Sequence, residues 1–184
     1  MYKDIANTFD MDRKRLLFYL SKADEFLAET GEVLTIYVSG GANMCLYVGS
    51  RTSTRDIDTV PSDEVLLKKL AKHLQALFDL PRSWLNPSGT LFVTDKMIRE
   101  AVLGLDFNNL KVHFLSFRAM LVLKVLAARK EPGKHDLEDA IVLIRKLGIK
   151  SVAEIDALVN EYKPDWNNPF VLAFAEEALR LSRK

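Results

Sequence analysis

The sequence predicts an α+β fold: a mixed sheet of about four or five strands with flanking helices over residues 1–115, and a C-terminal helical bundle over 116–184 packed against it. Three observations carry this. Residues 33–38, Val-Leu-Thr-Ile-Tyr-Val, are a β-type apolar run that stops at Ser39-Gly40-Gly41. Residues 54–60 end in Asp56-Ile57-Asp58-Thr59-Val60, where alternation with period 2 puts both acids on one strand face and Ile57 on the other. From Ser116 onward the apolar spacing is helical. No Gly- or Ser-rich linker interrupts the chain there, so the expectation is one rigid body with its site in the crevice between the halves.

The elements follow in order. Residues 10–30 read as an amphipathic helix with Leu16, Leu17, Leu20, Phe26 and Leu27 on one broad face, stopped by Gly31. After the first strand and the glycine pair, residues 42–48 read as a short helix and 49–55 as a polar turn into the second strand. Ser62 or Asp63 caps a helix running to residue 78, with Val65, Leu66, Leu70, Leu74 and Leu77 at helical spacing and His73 as a surface residue. Residues 81–87 are irregular and anchored by Trp84. Residues 91–93 read as a short strand, 95–103 as either a helical turn or an irregular edge, and 110–115 as a strand with Val112 and Phe114 opposite His113. Ser116 caps a helix over 117–130, broken by Glu131-Pro132-Gly133. A helix over 135–147 closes at Gly148, Ser151 with Glu154 forms a capping box for the next, to residue 162, and Pro169 starts the last, to residue 181.

Composition narrows the function classes. Hydrophobic residues make up 48% and charged residues 28% of 184, ordinary for a globular chain, and a net charge of +1 advertises no overall field for nucleic acid. The single cysteine, Cys45, excludes an internal disulfide and reads as a small core residue. The N-terminal residues lack the basic-then-apolar pattern of a signal peptide, and no uncharged run reaches about 18 residues. The expectation is a soluble, cytoplasmic protein without a membrane partner.

Two constellations carry chemistry. Asp56 and Asp58 side by side repel each other and are costly to desolvate, and a divalent cation removes both difficulties. The glycine pair lets backbone N–H groups approach a ligand, at the start of a helix whose dipole favours phosphate. In the second constellation, Lys124 sits in the middle of an unusually apolar helix, so its ammonium must reach either solvent or an anion. Arg129 lies about 140° further round that helix. Lys134-His135-Asp136-Leu137-Glu138-Asp139 follows, with Asp136 and Asp139 sharing a helix face.

In this order, strand, Gly-Gly, helix, strand with Asp-Ile-Asp, the first constellation resembles the nucleotidyltransferase fold of the DNA polymerase β superfamily, with a spacer about one residue longer than its usual upper limit. The second resembles the Lys-x4-Arg and basic-x-Asp-x-x-Asp motifs of AbiEii-type toxin nucleotidyltransferases, and residues 79–86 look like a related group of small bacterial nucleotidyltransferases. The resemblance runs over residues 33–147. It implies metal-dependent transfer of a nucleoside monophosphate from a nucleoside triphosphate to an RNA (tRNA) or protein acceptor, in a toxin–antitoxin setting with a cognate antitoxin or toxin as partner. By the same resemblance Asp56 and Asp58 hold Mg2+ or Mn2+ and, with Lys124 and Asp136, are catalytic; Ser39, Gly40, Gly41, Lys124 and Arg129 bind nucleotide. Asp139 is expected to orient Lys134 or Arg129.

One departure sets up the alternative. Many relatives of this type place a third carboxylate on a later strand, and residues 110–115 offer only His113, with Asp106 just before them. Either Asp136 supplies that charge, or the chain is a catalytically inactive nucleotide-binding or partner-binding, antitoxin-like module. A purely structural α/β domain is the third reading. The two-constellation reading expects the Lys124 ammonium within roughly 8 Å of an Asp58 or Asp136 carboxylate, about a Debye length. It also expects Lys124→Ala to abolish triphosphate binding and leave the fold intact, because alanine is the better helix former.

Overall fold

The computed structural model describes residues 9–128, 134–165 and 168–184. They form two compact units, Met1–Thr90 with Leu103–His113, and Leu91–Val102 with Phe114–Lys184. The segment 91–102 therefore groups with the C-terminal helices rather than with the sheet unit.

The first unit opens with a two-residue strand β1 (Met11–Asp12), paired antiparallel with β3 (Ser53–Thr54). Helix α1 (Arg13–Thr30) begins where the Asp12 side chain accepts the Arg15 N–H and stops at Gly31, whose φ of 69° only glycine adopts without strain. Its buried stripe is Leu16, Leu20, Ala23, Phe26 and Leu27. Strand β2 (Leu34–Val38) runs into α2 (Gly40–Asn43), which continues as a wider π-type turn over Met44–Val48 and ends at Gly49. The helix thus starts at the glycine pair itself, two residues before the expected 42. Asn43 Nδ2 donates to the Val38 carbonyl and Arg13 Nη1 donates to the Leu46 carbonyl, tying this element to β2 and α1. Cys45 is buried.

The acid-bearing strand is β4 (Ile57–Pro61), antiparallel to β2 and parallel to the two-residue β5 (Leu85–Asn86). Helix α3 (Glu64–Phe78) joins them, capped by Asp63, whose carboxylate accepts the Leu66 N–H. Trp84 is fully buried, and its Nε1–H donates to the Ala71 carbonyl, so it pins the irregular segment beneath α3. The sheet order is β5-β4-β2-β7-β6, with β6 (Val102–Asp106) and β7 (Leu110–Phe114) as a hairpin closed by Phe107 N–H to the Leu110 carbonyl. Asp24 of α1 accepts the N–H groups of both Asn109 and Leu110 and holds that turn. Leu34, Ile36, Val38, Ile57, Leu110, Val112 and Phe114 make the buried face of the sheet; Tyr37 and His113, with ring centroids 5.0 Å apart, lie on the other.

The expected strand at 91–93 is absent. Residues Ser88–Leu91 form a 3-10 turn, and Leu91 is 75% exposed. Within that turn Gly89 presses so close to β4 that a Cβ there would stand 2.8 Å from the Thr59 carbonyl. The segment read as a helical turn or irregular edge splits into helix α4 (Asp95–Arg99) and strand β6. Val65 and Leu77, which share the helical spacing of the apolar residues, are exposed in the first and last turns of α3.

The second unit holds α4, α5 (Phe117–Leu126), α6 (Lys134–Leu147), α7 (Val152–Tyr162) and α8 (Val171–Ser182). Ser116 caps α5 through the Ala119 N–H. The Ser151–Glu154 cap forms, although Glu154 reaches the Ser151 hydroxyl and the Lys150 N–H rather than the Ser151 N–H. Segment 91–102 is tied down by charge: Lys96 pairs with Glu161 at 2.7 Å, Arg118 pairs with the same carboxylate at 2.6 Å, and the Tyr162 hydroxyl donates to Glu100. Burial first, then that bond to Glu100, pushes the Tyr162 phenol up to about 12. The expected end of α5 at 130 and the Glu131-Pro132-Gly133 break lie outside the described residues. No helix among the described residues is long and apolar enough to cross a membrane.

Replacing Trp84 by alanine removes a fully buried indole and its hydrogen bond to the Ala71 carbonyl of α3. It is expected to cost the sheet unit about 3–5 kcal/mol, measured as a lowered urea midpoint, with Trp84→Phe costing less.

Candidate functional site: an acid pair against a glycine

The sequence builds this site locally. Alternation along β4 puts Asp58 on the same face as Val60, and the β2–β4 register places Tyr37 opposite Val60, so Asp58 lies on the face of Tyr37 rather than in the core. Asp56 stands just ahead of the strand rather than in it, and the two carboxylates feel each other. Burial above all, and then the Asp58 charge, push the Asp56 carboxyl above its usual range, against the opposing pull of Arg51, Thr54 and Arg55.

Gly40 supplies the floor. Its φ is +60°, and a Cβ built there would lie 2.4 Å from Asp58 Oδ2. Gly41 is equally constrained, since its Cβ would lie 2.3 Å from Thr54 Oγ1 and 3.0 Å from Arg51 Nη1. Ser39 is buried, and its N–H donates to the Asp58 carbonyl at 2.9 Å, with Oγ 3.4 Å from the same oxygen. Ser39 therefore fixes the Asp58 backbone; Ser39 and Gly41 are buried and Gly40 is half-buried.

A contact that the sequence did not announce completes the arrangement. The Ser88 hydroxyl donates to Asp58 Oδ1 at 2.7 Å. Asp58 is thus touched by glycine on one oxygen and by a hydroxyl on the other. His113 adds no ligand to the pair; burial lowers its pKa, leaving it neutral at pH 7. Asp106 is ion-paired with Lys111. Among the described residues, no group of three His, Cys, Asp or Glu side chains is placed to hold a metal.

In the second unit Lys124 is 8% exposed and receives two anions, Asp136 at 3.0 Å and Asp139 at 2.9 Å. It is not a lysine snorkelling to water. Asp139 is 2% exposed and pairs with Lys124; the expectation that it orients Arg129 or Lys134 falls on side chains outside the described ones. Arg129 lies outside the described residues. Asp136 is the more accessible member of the trio. Lys124 thus joins the two carboxylates of α6 to α5.

No protein-family model and no curated protein matches this chain. Among solved structures, it is similar to an antigenic nucleotidyltransferase-like protein from Paracoccidioides brasiliensis, with a TM-score of 0.49 and 16% identity over 93% of this chain and 94% of that one. A likeness that distant leaves the function to the side chains.

Two expectations follow. Without metal, the raised Asp56 pKa makes the carboxyl a stabilising group only while protonated: its contribution is present below the unfolded value of about 3.9 and is lost as pH rises through the raised folded value. Asp56→Asn should therefore raise the melting temperature at pH 7.5 in chelator by about 1–2 °C, a shift kept small by partial solvent screening, and by nothing near pH 4. Lys124→Ala removes the cation paired with the buried Asp139 carboxylate. In place of the intact fold expected from helix propensity, a loss of about 3–5 kcal/mol should appear in thermal or urea unfolding.

Proposed function

We propose that the protein is a nucleotidyltransferase of the polymerase-β type, moving a nucleoside monophosphate from a nucleoside triphosphate to a hydroxyl of an RNA or protein acceptor. The observation that supports this best is the Asp58 carboxylate, held on an open strand face against Gly40 with Asp56 beside it. The donor set suits a hard divalent cation. It is all oxygen, and Asp56 is disfavoured as an anion until positive charge arrives. Mg2+ commonly takes one or two carboxylates and completes its shell with water or, when triphosphate is bound, its phosphates, so a pair suffices for Mg2+ or Mn2+. When bound, the ion supplies charge neutralisation at the α-phosphate and the departing pyrophosphate.

The side chains divide the remaining tasks. Asp56 and Asp58 fix where the positive charge sits, Gly40 lets the backbone approach phosphate, and Ser39 keeps the Asp58 backbone in register. By resemblance Lys124 serves the triphosphate and Asp136 takes the proton of the attacking hydroxyl as pyrophosphate leaves. The cytoplasmic toxin–antitoxin setting and a cognate partner rest on that same resemblance. A catalytically inactive nucleotide- or partner-binding module is the rival reading, favoured by the acid pair having no third ionisable ligand among the described residues.

The test is label transfer. Incubation with each labelled triphosphate, Mg2+ and total tRNA or cell lysate should label an acceptor, and Asp58→Asn should cut the rate by about 100-fold or more. Saturable triphosphate binding without transfer would select the rival.

A further inference from the structure

Ser88 is exposed and carries no charge, and nothing in the proposed chemistry yet uses it. Its position, however, is closely determined. The parallel register sets Asn86 beside Asp58, and the Asn86 carbonyl accepts the Thr59 hydroxyl at 3.0 Å. The Asn86 side chain accepts the Ser88 N–H at 2.9 Å, and the Thr90 N–H closes the turn onto the Pro87 carbonyl at 3.0 Å. Gly89 lies directly on the Thr59 backbone, with no room for a Cβ. The turn is therefore fastened to β4 on both sides of Ser88, and what it delivers is one hydroxyl, 2.7 Å from Asp58 Oδ1.

We propose that Ser88 is a positioning residue, holding the Asp58 carboxylate in the orientation that receives the divalent cation; this rests on the metal-site reading above. Gly40 limits the carboxylate on its Oδ2 side and Ser88 holds it on the Oδ1 side, so rotation about the Cβ–Cγ bond is restrained from both ends. A hydroxyl suits the task. It occupies one lone pair of a carboxylate that has about four, and it leaves the negative charge intact, whereas a lysine or arginine would cancel the charge that the cation requires. An exposed hydrogen bond of this kind contributes little to folding because water competes for both partners. The fastening of the turn thus serves the orientation of Asp58 rather than the stability of the chain.

The experiment titrates the full chain with Mn2+ in calorimetry, without nucleotide. Ser88→Ala should weaken Mn2+ binding about tenfold, the lower end of losses for groups that orient a metal ligand. Ser88→Thr, which keeps the hydroxyl, should restore it, and the metal-free melting temperature of both variants should stay within about 2 °C of the parent. In transfer assays, excess Mn2+ should rescue Ser88→Ala but not Asp58→Asn. Parental Mn2+ affinity in Ser88→Ala, or failure of Ser88→Thr to restore it, would overturn the role of Ser88 while Asp58→Asn still abolished binding. Mn2+ binding that Asp58→Asn leaves unchanged would overturn the metal site and this inference together.

Discussion

Two negative charges held side by side, Asp58 on β4 and Asp56 just ahead of it, are the constraint around which the candidate site is arranged. Left alone, Asp56 and Asp58 repel, and burial penalises the Asp56 anion further. The surroundings do not relieve this by moving the acids apart. Gly40 approaches so closely that no side chain could replace its hydrogen, the Ser39 N–H grips the Asp58 carbonyl, and Ser88 holds the carboxylate. Arg51 and Arg55 only moderate the repulsion. A chain selected for stability alone would place at most one of these acids here. Stability is given up at a cluster whose remaining deficit is positive charge, and that is the physical content of the metal-site reading.

The helical unit solves the mirror problem internally. One buried ammonium, Lys124, is received by two carboxylates, one of them almost wholly buried. Removing either partner of such a set leaves a charge with no water to receive it, so the trio acts as a unit in folding whatever further role it has. Lys124 is for that reason a poor position at which to separate binding from stability, and Asp136, the more exposed acid, a better one.

What could be read from the sequence depended on the length over which a pattern repeats. The order strand, Gly-Gly, helix, Asp-Ile-Asp was legible because each part has a local signature: β-branched run, turn glycine, period-2 alternation. Asp58 at Gly40 followed from that order. Ser88 was not legible, because Pro87-Ser88-Gly89 resembles any turn, and its contact with Asp58 depends on β5, two residues long and without periodicity. Strand β6 was missed for a related reason: it is an edge strand with Gly104 at its centre and little buried surface on either side. Helical spacing placed Asp136 and Asp139 on one face but could not say which cation faces them. In α3 the apolar pattern overran the core at both ends, where Val65 and Leu77 meet solvent.

The most direct measurement is anomalous diffraction from crystals soaked in Mn2+ with a non-hydrolysable nucleoside triphosphate. The account predicts a peak coordinated by both the Asp56 and Asp58 carboxylates, with Asp58 still hydrogen-bonded to Ser88 and the Gly40 backbone facing phosphate. A peak elsewhere in the chain, or nucleotide bound with no metal at the acid pair, would contradict it.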